Sequence, residues 1–128
     1  MGQPHMCAAM TLTALALSCT LLFITDGDTF RAACPEPVIV RIANIDTPEK
    51  DACPRQAARS AAALEDMLAG EITVQPLYTD RWGRIVATVL SGGRDVGQAM
   101  IKARRAKPWP HDSKGRAQER RPKWKGCK

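Results

Sequence analysis

No Asp, Glu, Lys or Arg stands between Gly2 and Thr25 of this 128-residue chain. That absence leaves Cys7 to Leu17 (CAAMTLTALAL) small and apolar, as in the centre of a secretory signal, and Ala14-Leu15-Ala16 supplies a small-x-small cleavage site. No basic residue precedes the run, which departs from the usual signal. A membrane-spanning helix would need roughly 20 apolar residues, and it would compete for residues from Cys19 onward that are wanted as a strand. The expectation is a leader over residues 1–16 and export to a periplasmic or secreted location, without stable membrane insertion. A tether through an uncleaved leader is the alternative.

The chain also lacks any Cys-x-x-C pair or Cys/His cluster, which argues against a zinc site. Loss of the leader would remove Cys7 and leave Cys19, Cys34, Cys53 and Cys127, enough for one or two disulfides in a small exported domain, with the pairing open. Acidic residues are scarce at one end only. Residues 1–100 hold 8 Lys and Arg against 11 Asp and Glu, net −3, whereas residues 101–128 hold 11 against 2, net +9. The basic character is therefore C-terminal, either a solvated tail or an attraction for a polyanion such as nucleic acid.

What is present reads as alternating strands and turns. "CTLLFIT" is an apolar run that ends at Asp26-Gly27, a hairpin signal whose glycine would supply a positive φ. "DTFRAA" returns, "CPEP" breaks the ladder because proline lacks an amide donor, and Val38–Ile45 (VIVRIANI) reads as one continuous buried strand. "QAARSAAALEDMLAG" has Ala57, Ala61, Leu64 and Leu68 at helical spacing and stops at Gly70. "EITVQPLY" and "GRIVATVL" are two more strands around "TDRWGR", and "DVGQAMIKA" is a short helix capped by Asp95. Residues 108–128 are expected to be irregular, with at most a turn or two of helix around Lys114–Arg120. Five strands, a long helix between the third and fourth and a short helix after the fifth predict a mainly β (α+β) fold. Its form is a partly open five-stranded OB-type barrel over residues 17–107.

Turn geometry accounts for Asp26 but leaves Asp28 in need of a partner beside apolar strands. A second acidic cluster, "IDTPE", follows the third strand. An antiparallel third strand would bring Asp28 and Asp46 together, and two close carboxylates repel unless a cation or a proton intervenes. Two carboxylates and a carbonyl such as that of Thr47 are the oxygen donors a hard divalent ion takes. Arg41 and Arg84 add guanidinium groups suited to phosphate. Together these describe a phosphodiesterase.

The segments "DGDTF", "VRIANIDTPE", "DRWGRIVA" and "DVGQAMI" resemble the thermonuclease, or staphylococcal-nuclease-like, family in order and spacing, from about Cys19 to Lys107. The resemblance implies that Asp28, Asp46 and the Thr47 carbonyl bind Ca2+ and that Glu49 serves as general base or orients the attacking water. It further implies that Arg41 and Arg84 hold the scissile phosphate, with 5′ P–O cleavage of DNA and RNA, irrespective of sequence, leaving 3′-phosphates. Trp82 stands where the family has tyrosine and could stack on a base or sugar, and Trp109 could replace a tyrosine missing after the second helix. Asn44 and Arg104 occupy positions where the family has glycine. A Cys53–Cys127 disulfide would tie down the short tail, and Cys19–Cys34 is a second candidate bridge. The protein is expected to act as a monomer. The rival function is a non-catalytic OB-type module that binds nucleic acid or protein.

Overall fold

The computed structural model describes residues 16–127. The predicted leader, apart from Ala16, lies outside them. The strands are β1 (Leu17–Asp26), β2 (Thr29–Ala33), β3 (Pro37–Ile42), β4 (Ile45–Asp46), β5 (Glu71–Thr79), β6 (Ile85–Ser91), β7 (Arg94–Asp95) and β8 (Lys107–Pro108); the helices are α1 (Pro54–Met67) and α2 (Val96–Lys102). Antiparallel neighbours run β3-β2-β1-β5-β6, and a parallel pairing of β3 with β6 closes the ring. The result is a five-stranded barrel with helices. Closure satisfies strand edges that an open sheet would leave bare.

Alternation explains which side chains turn inward. Phe30 and Ala32 of β2, Val40 and Ile42 of β3, Ile72 and Val74 of β5 and Ala87 and Val89 of β6 are buried, two residues apart on each strand. Leu64 and Leu68 of the first helical segment and Met100 of α2 cap this core. The first helix starts at Pro54, ahead of the expected Gln56, because proline is accepted where the amide would be unpaired anyway. Among the described residues no helix is long and apolar enough to cross a membrane.

Two sequence expectations need correction. The predicted strand Val38–Ile45 is broken: Asn44 takes φ 65°, so β3 ends at Ile42 and Ile45–Asp46 pairs instead with Lys107–Pro108. Asn tolerates the left-handed region, and the hydrophobic continuity of the segment hid the turn. The turn between β1 and β2 also differs, because Gly27 is absent from the positive-φ residues. Its reason is space: a Cβ there would stand 2.6 Å from Ser60 Cβ and 3.0 Å from Thr47 Cγ2. Gly27→Ala should therefore push α1 off the barrel and cost about 2 kcal/mol of stability, measured by urea unfolding; an unchanged midpoint would contradict that packing argument. The tail, where the sequence allows at most a turn or two of helix around Lys114–Arg120, forms none there. It makes a turn and a single bridge between His111 and Ala117.

Cys19 is joined to Cys34 and Cys53 to Cys127 by disulfides. Arg104 has φ 61° at the exit from α2, a conformation that costs an L side chain about 1 kcal/mol and that glycine would take freely.

Candidate functional site

The β1–β2 turn carries Asp26 and Asp28. Asp28 is 7% exposed. Its Oδ1 accepts from Thr29 Oγ1 at 3.0 Å and its Oδ2 from Thr47 Oγ1 at 3.0 Å. Burial opposes its ionisation, but the nearby Arg41 guanidinium, 3.5 Å away, together with those hydroxyls holds its carboxyl below the usual range. Asp26 shows the opposite behaviour: burial first, then a hydrogen bond with Asp28 and the charge of that residue, push its carboxyl up to about 6. The turn is thus an acidic pair with incomplete compensation.

Arg41 sits opposite Thr29 in the β2–β3 ladder. The residue beside the start of β2 is therefore this arginine, and Asp46 is carried past it by the break at Asn44. The Arg41 guanidinium donates to the carbonyls of Ile42 at 2.5 Å and Ile45 at 2.9 Å. Arg84 is held differently. Asp80 Oδ1 accepts the backbone N–H groups of Trp82 at 3.0 Å and Arg84 at 2.9 Å, while its Oδ2 accepts Arg84 Nε at 2.7 Å. Burial works against the Asp80 charge, yet these bonds to Arg84 keep its carboxyl below the ordinary range. The guanidinium is fixed at Nε, which leaves its two Nη groups available to a ligand.

Asp46 is 1% exposed. Its Oδ1 accepts Arg121 Nε at 2.9 Å and its Oδ2 accepts Trp124 Nε1 at 3.0 Å. The same Arg121 also pairs with Glu49 through Nη1. The C-terminal segment thus lies over the second acidic cluster. Lys107 packs on the Trp124 ring at 4.7 Å, Gln56 donates to the Lys125 carbonyl at 2.9 Å, and the Cys53–Cys127 bond fastens the end to the start of α1.

Asp28, Arg41, Thr47, Glu49, Arg84 and Arg121 line one cleft of about 680 Å³. Trp82 and Trp109 line it as well. Trp82 is 64% exposed, with the Arg84 guanidinium 5.2 Å from its ring centre. Trp109 is partly buried and donates Nε1 to the Glu119 carbonyl at 2.9 Å. Asp46 is not a lining residue; it immediately precedes Thr47, which lines the cleft and whose hydroxyl reaches Asp28. The predicted carboxylates are therefore at the same end of the barrel, linked through Thr47.

Among the described residues no three His, Cys, Asp or Glu side chains form a metal-holding group. The donor set anticipated from sequence has two carboxylates and a carbonyl, and its chemistry fits a hard cation. Each carboxylate oxygen has two lone pairs, and each oxygen of Asp28 and Asp46 accepts one hydrogen bond, with Arg41 also 3.5 Å from Asp28 Oδ2, so some acceptor capacity is left.

Sequence reasoning missed Asp80, Arg121, Trp124 and Tyr78, which also lines the cleft. Asp80 had a signal, an Asp four residues before an Arg with a glycine between them. Arg121 and Trp124 had none, because they meet Asp46 across 75 and 78 positions of sequence.

A family model described as "Staphylococcal nuclease homologue" matches residues 39–123. The match takes in Arg41, Asp46, Thr47, Glu49 and Arg84, while Asp28 precedes it. No curated protein gives a match.

Proposed function

The chain belongs to the staphylococcal nuclease homologue family, and from that premise we propose that it hydrolyses phosphodiester bonds in the backbones of DNA and RNA. The observation that carries the reading is the single cleft in which Asp28, buried beside Arg41, faces the same space as Glu49 and Arg84. In this reading Asp28, Asp46 and the Thr47 carbonyl would hold Ca2+, whose charge polarises a bound phosphoryl oxygen when present. Arg84 offers two Nη donors to a phosphate oxygen, and Arg41 supplies a second positive charge beside Asp28. Both count most as charge grows on the equatorial oxygens of the transition state. Glu49 accepts a proton from the attacking water or orients it, once Arg121 has yielded its carboxylate. The bond cleaved is the 5′ P–O bond, leaving a 3′-phosphate. Base identity has no reader in such an arrangement, whereas exposed Trp82 can stack on any base or sugar, with Trp109 in a supporting place.

Two disulfides support export to an oxidising compartment. Denatured plasmid DNA incubated with the protein and calcium should be degraded, and a chelator should stop it. Intact DNA in calcium would refute the enzymatic reading. A second reading, a binding module without catalysis, is favoured by one observation: Arg121 and Trp124 already occupy Asp46, and Arg121 also engages Glu49. Gel-shift of the same DNA without cleavage in calcium would select it.

Asp80 acts through Arg84. Asp80→Asn retains a side-chain oxygen for the turn but weakens the grip on Nε. Turnover should fall about tenfold, because a loosely positioned donor spends less time aligned. Rates of Asp80→Asn and wild type on denatured DNA in calcium check this, and equal rates would remove Asp80 from the positioning role.

A further inference from the structure

Residues Asp112-Ser113-Lys114-Gly115-Arg116 repeat the geometry of Asp80-Arg81-Trp82-Gly83-Arg84. Asp112 Oδ1 accepts the backbone N–H groups of Lys114 and Arg116, both at 2.9 Å, and its Oδ2 accepts Arg116 Nε at 2.7 Å. In the Asp80 loop the three corresponding distances are 3.0, 2.9 and 2.7 Å. The backbone agrees as well. The Gly83 and Gly115 N–H groups donate to the Asp carbonyls at 3.0 Å, and the Asp N–H groups donate to the Arg carbonyls at 2.9 Å. Gly83 has φ 82° and Gly115 φ 81°. In both loops one carboxylate oxygen closes the turn and the other grips Nε. Among the described residues, neither Arg84 nor Arg116 makes a protein hydrogen bond through Nη.

The second loop borders the same cleft. Gly115 and Ala117, on either side of Arg116, line it, as does Tyr78. A Cβ at Gly115 would approach Tyr78 Cε2 to 2.8 Å, so the loop lies against that ring. Burial raises the Tyr78 hydroxyl pKa, and Asp80 and Asp112 add to it from the two loops. One tyrosine thus stands between two arginine-presenting turns. The Arg84 side chain is 29% exposed and lines the cleft, whereas that of Arg116 is 73% exposed and is not itself a lining residue, although Gly115 and Ala117 on either side of it are.

An exposed i,i+4 ion pair is usually worth little to stability. That reading accounts for the Arg116–Asp112 contact but not for a left-handed glycine held against Tyr78 or for Nη groups left without a hydrogen bond among the described residues. A polynucleotide carries a phosphate at every nucleotide, and one bidentate guanidinium takes one phosphate. We propose that Arg116 is a second phosphate-binding residue of this cleft, engaging a backbone phosphate of the same nucleic-acid strand other than the one at Arg84. The inference rests on the nucleic-acid reading given above, but it concerns affinity and does not depend on bond cleavage.

The test is binding of a dye-labelled single-stranded DNA of about a dozen nucleotides to the full chain in chelator, followed by fluorescence anisotropy across a salt series. Arg116→Ala should weaken Kd about fivefold to tenfold and reduce the slope of log K against log salt by about 0.7, the value for one phosphate contact on a single strand. Arg116→Lys should restore the slope and only part of the affinity, because the ammonium lacks the planar fork. Arg59→Ala, on the exposed side of α1 and outside the cleft, should bind like wild type. If Arg116→Ala binds within twofold of wild type, or loses no more than Arg59→Ala, the subsite is refuted. Cleavage by wild type in calcium alongside that result would leave the nuclease reading standing. Arg116-dependent binding by a chain that cleaves nothing in calcium would instead retain the subsite and reject the nuclease.

Discussion

Arg84→Ala is expected to lower turnover of denatured DNA about a hundredfold or more, about 3 kcal/mol of barrier, with little change in the urea midpoint. The two halves of that expectation have separate causes. The Arg84 side chain satisfies no buried backbone group; its Nε is bound by Asp80, and the residue lines the cleft. Removing it deletes a donor to the phosphate and one bond to the partly buried Asp80, which keeps the backbone N–H groups of residues 82 and 84 as donors, so the stability cost should be small. Arg84→Lys should recover little, because a point charge cannot be gripped at one nitrogen and still present two others in a plane. Arg41→Ala should cost a similar factor in rate but also destabilise the fold. The Arg41 side chain is 13% exposed, bonds the Ile42 and Ile45 carbonyls and faces Asp28; without it a buried carboxylate loses its counter-charge. Rates in calcium and urea melts on both variants check the contrast. Near-wild-type turnover of Arg84→Ala would sink the assignment.

The barrel was legible because its cues are local. Period-two burial on β2, β3, β5 and β6, the alanine-rich stretch of α1 and the Asp95 cap, whose side chain accepts the Gln98 N–H at 3.0 Å, all depend on residues close in sequence. The break at Ala43-Asn44 was only half legible: Asn44 standing where the family has glycine pointed to a left-handed residue, but the apolar run around it read as one strand. The site shows the same division. Asp28, Thr47, Glu49, Arg41 and Arg84 could be gathered from topology and spacing, and they share one cleft. The cover on Asp46 could not. Its donors come from a proline- and lysine-rich segment with no periodicity, and they reach it only because a disulfide and the β4–β8 pairing bring that segment back. The glycine of Asp26-Gly27-Asp28 is a middle case: its identity was visible, but the close approach of Ser60 that requires it belongs to the packing of α1.

Replacing both Cys53 and Cys127 by serine is expected to destabilise the protein by about 4 kcal/mol, the largest stability effect of any change considered, because the bond closes a long loop and its loss frees the unfolded chain. The residues joined are 74 apart in sequence. The Cys19–Cys34 bond, at a separation of 15, should contribute about 3 kcal/mol by the same relation. The longer bond has a second consequence, because it anchors the segment that carries Arg121 and Trp124. When that segment frays, Asp46 at 1% exposure loses both donors, and an unpaired buried carboxylate adds a further penalty. A cation able to bind Asp46 would offset that penalty. Calcium should therefore raise the Tm of the double-serine variant by more than it raises that of wild type, since a ligand stabilises in proportion to its affinity for the folded state. Thermal melts of both proteins with calcium and with chelator measure this. Equal calcium shifts would mean that the tail does not compete with a cation for Asp46, and an unchanged melt of the variant in chelator would remove the disulfide as a source of stability.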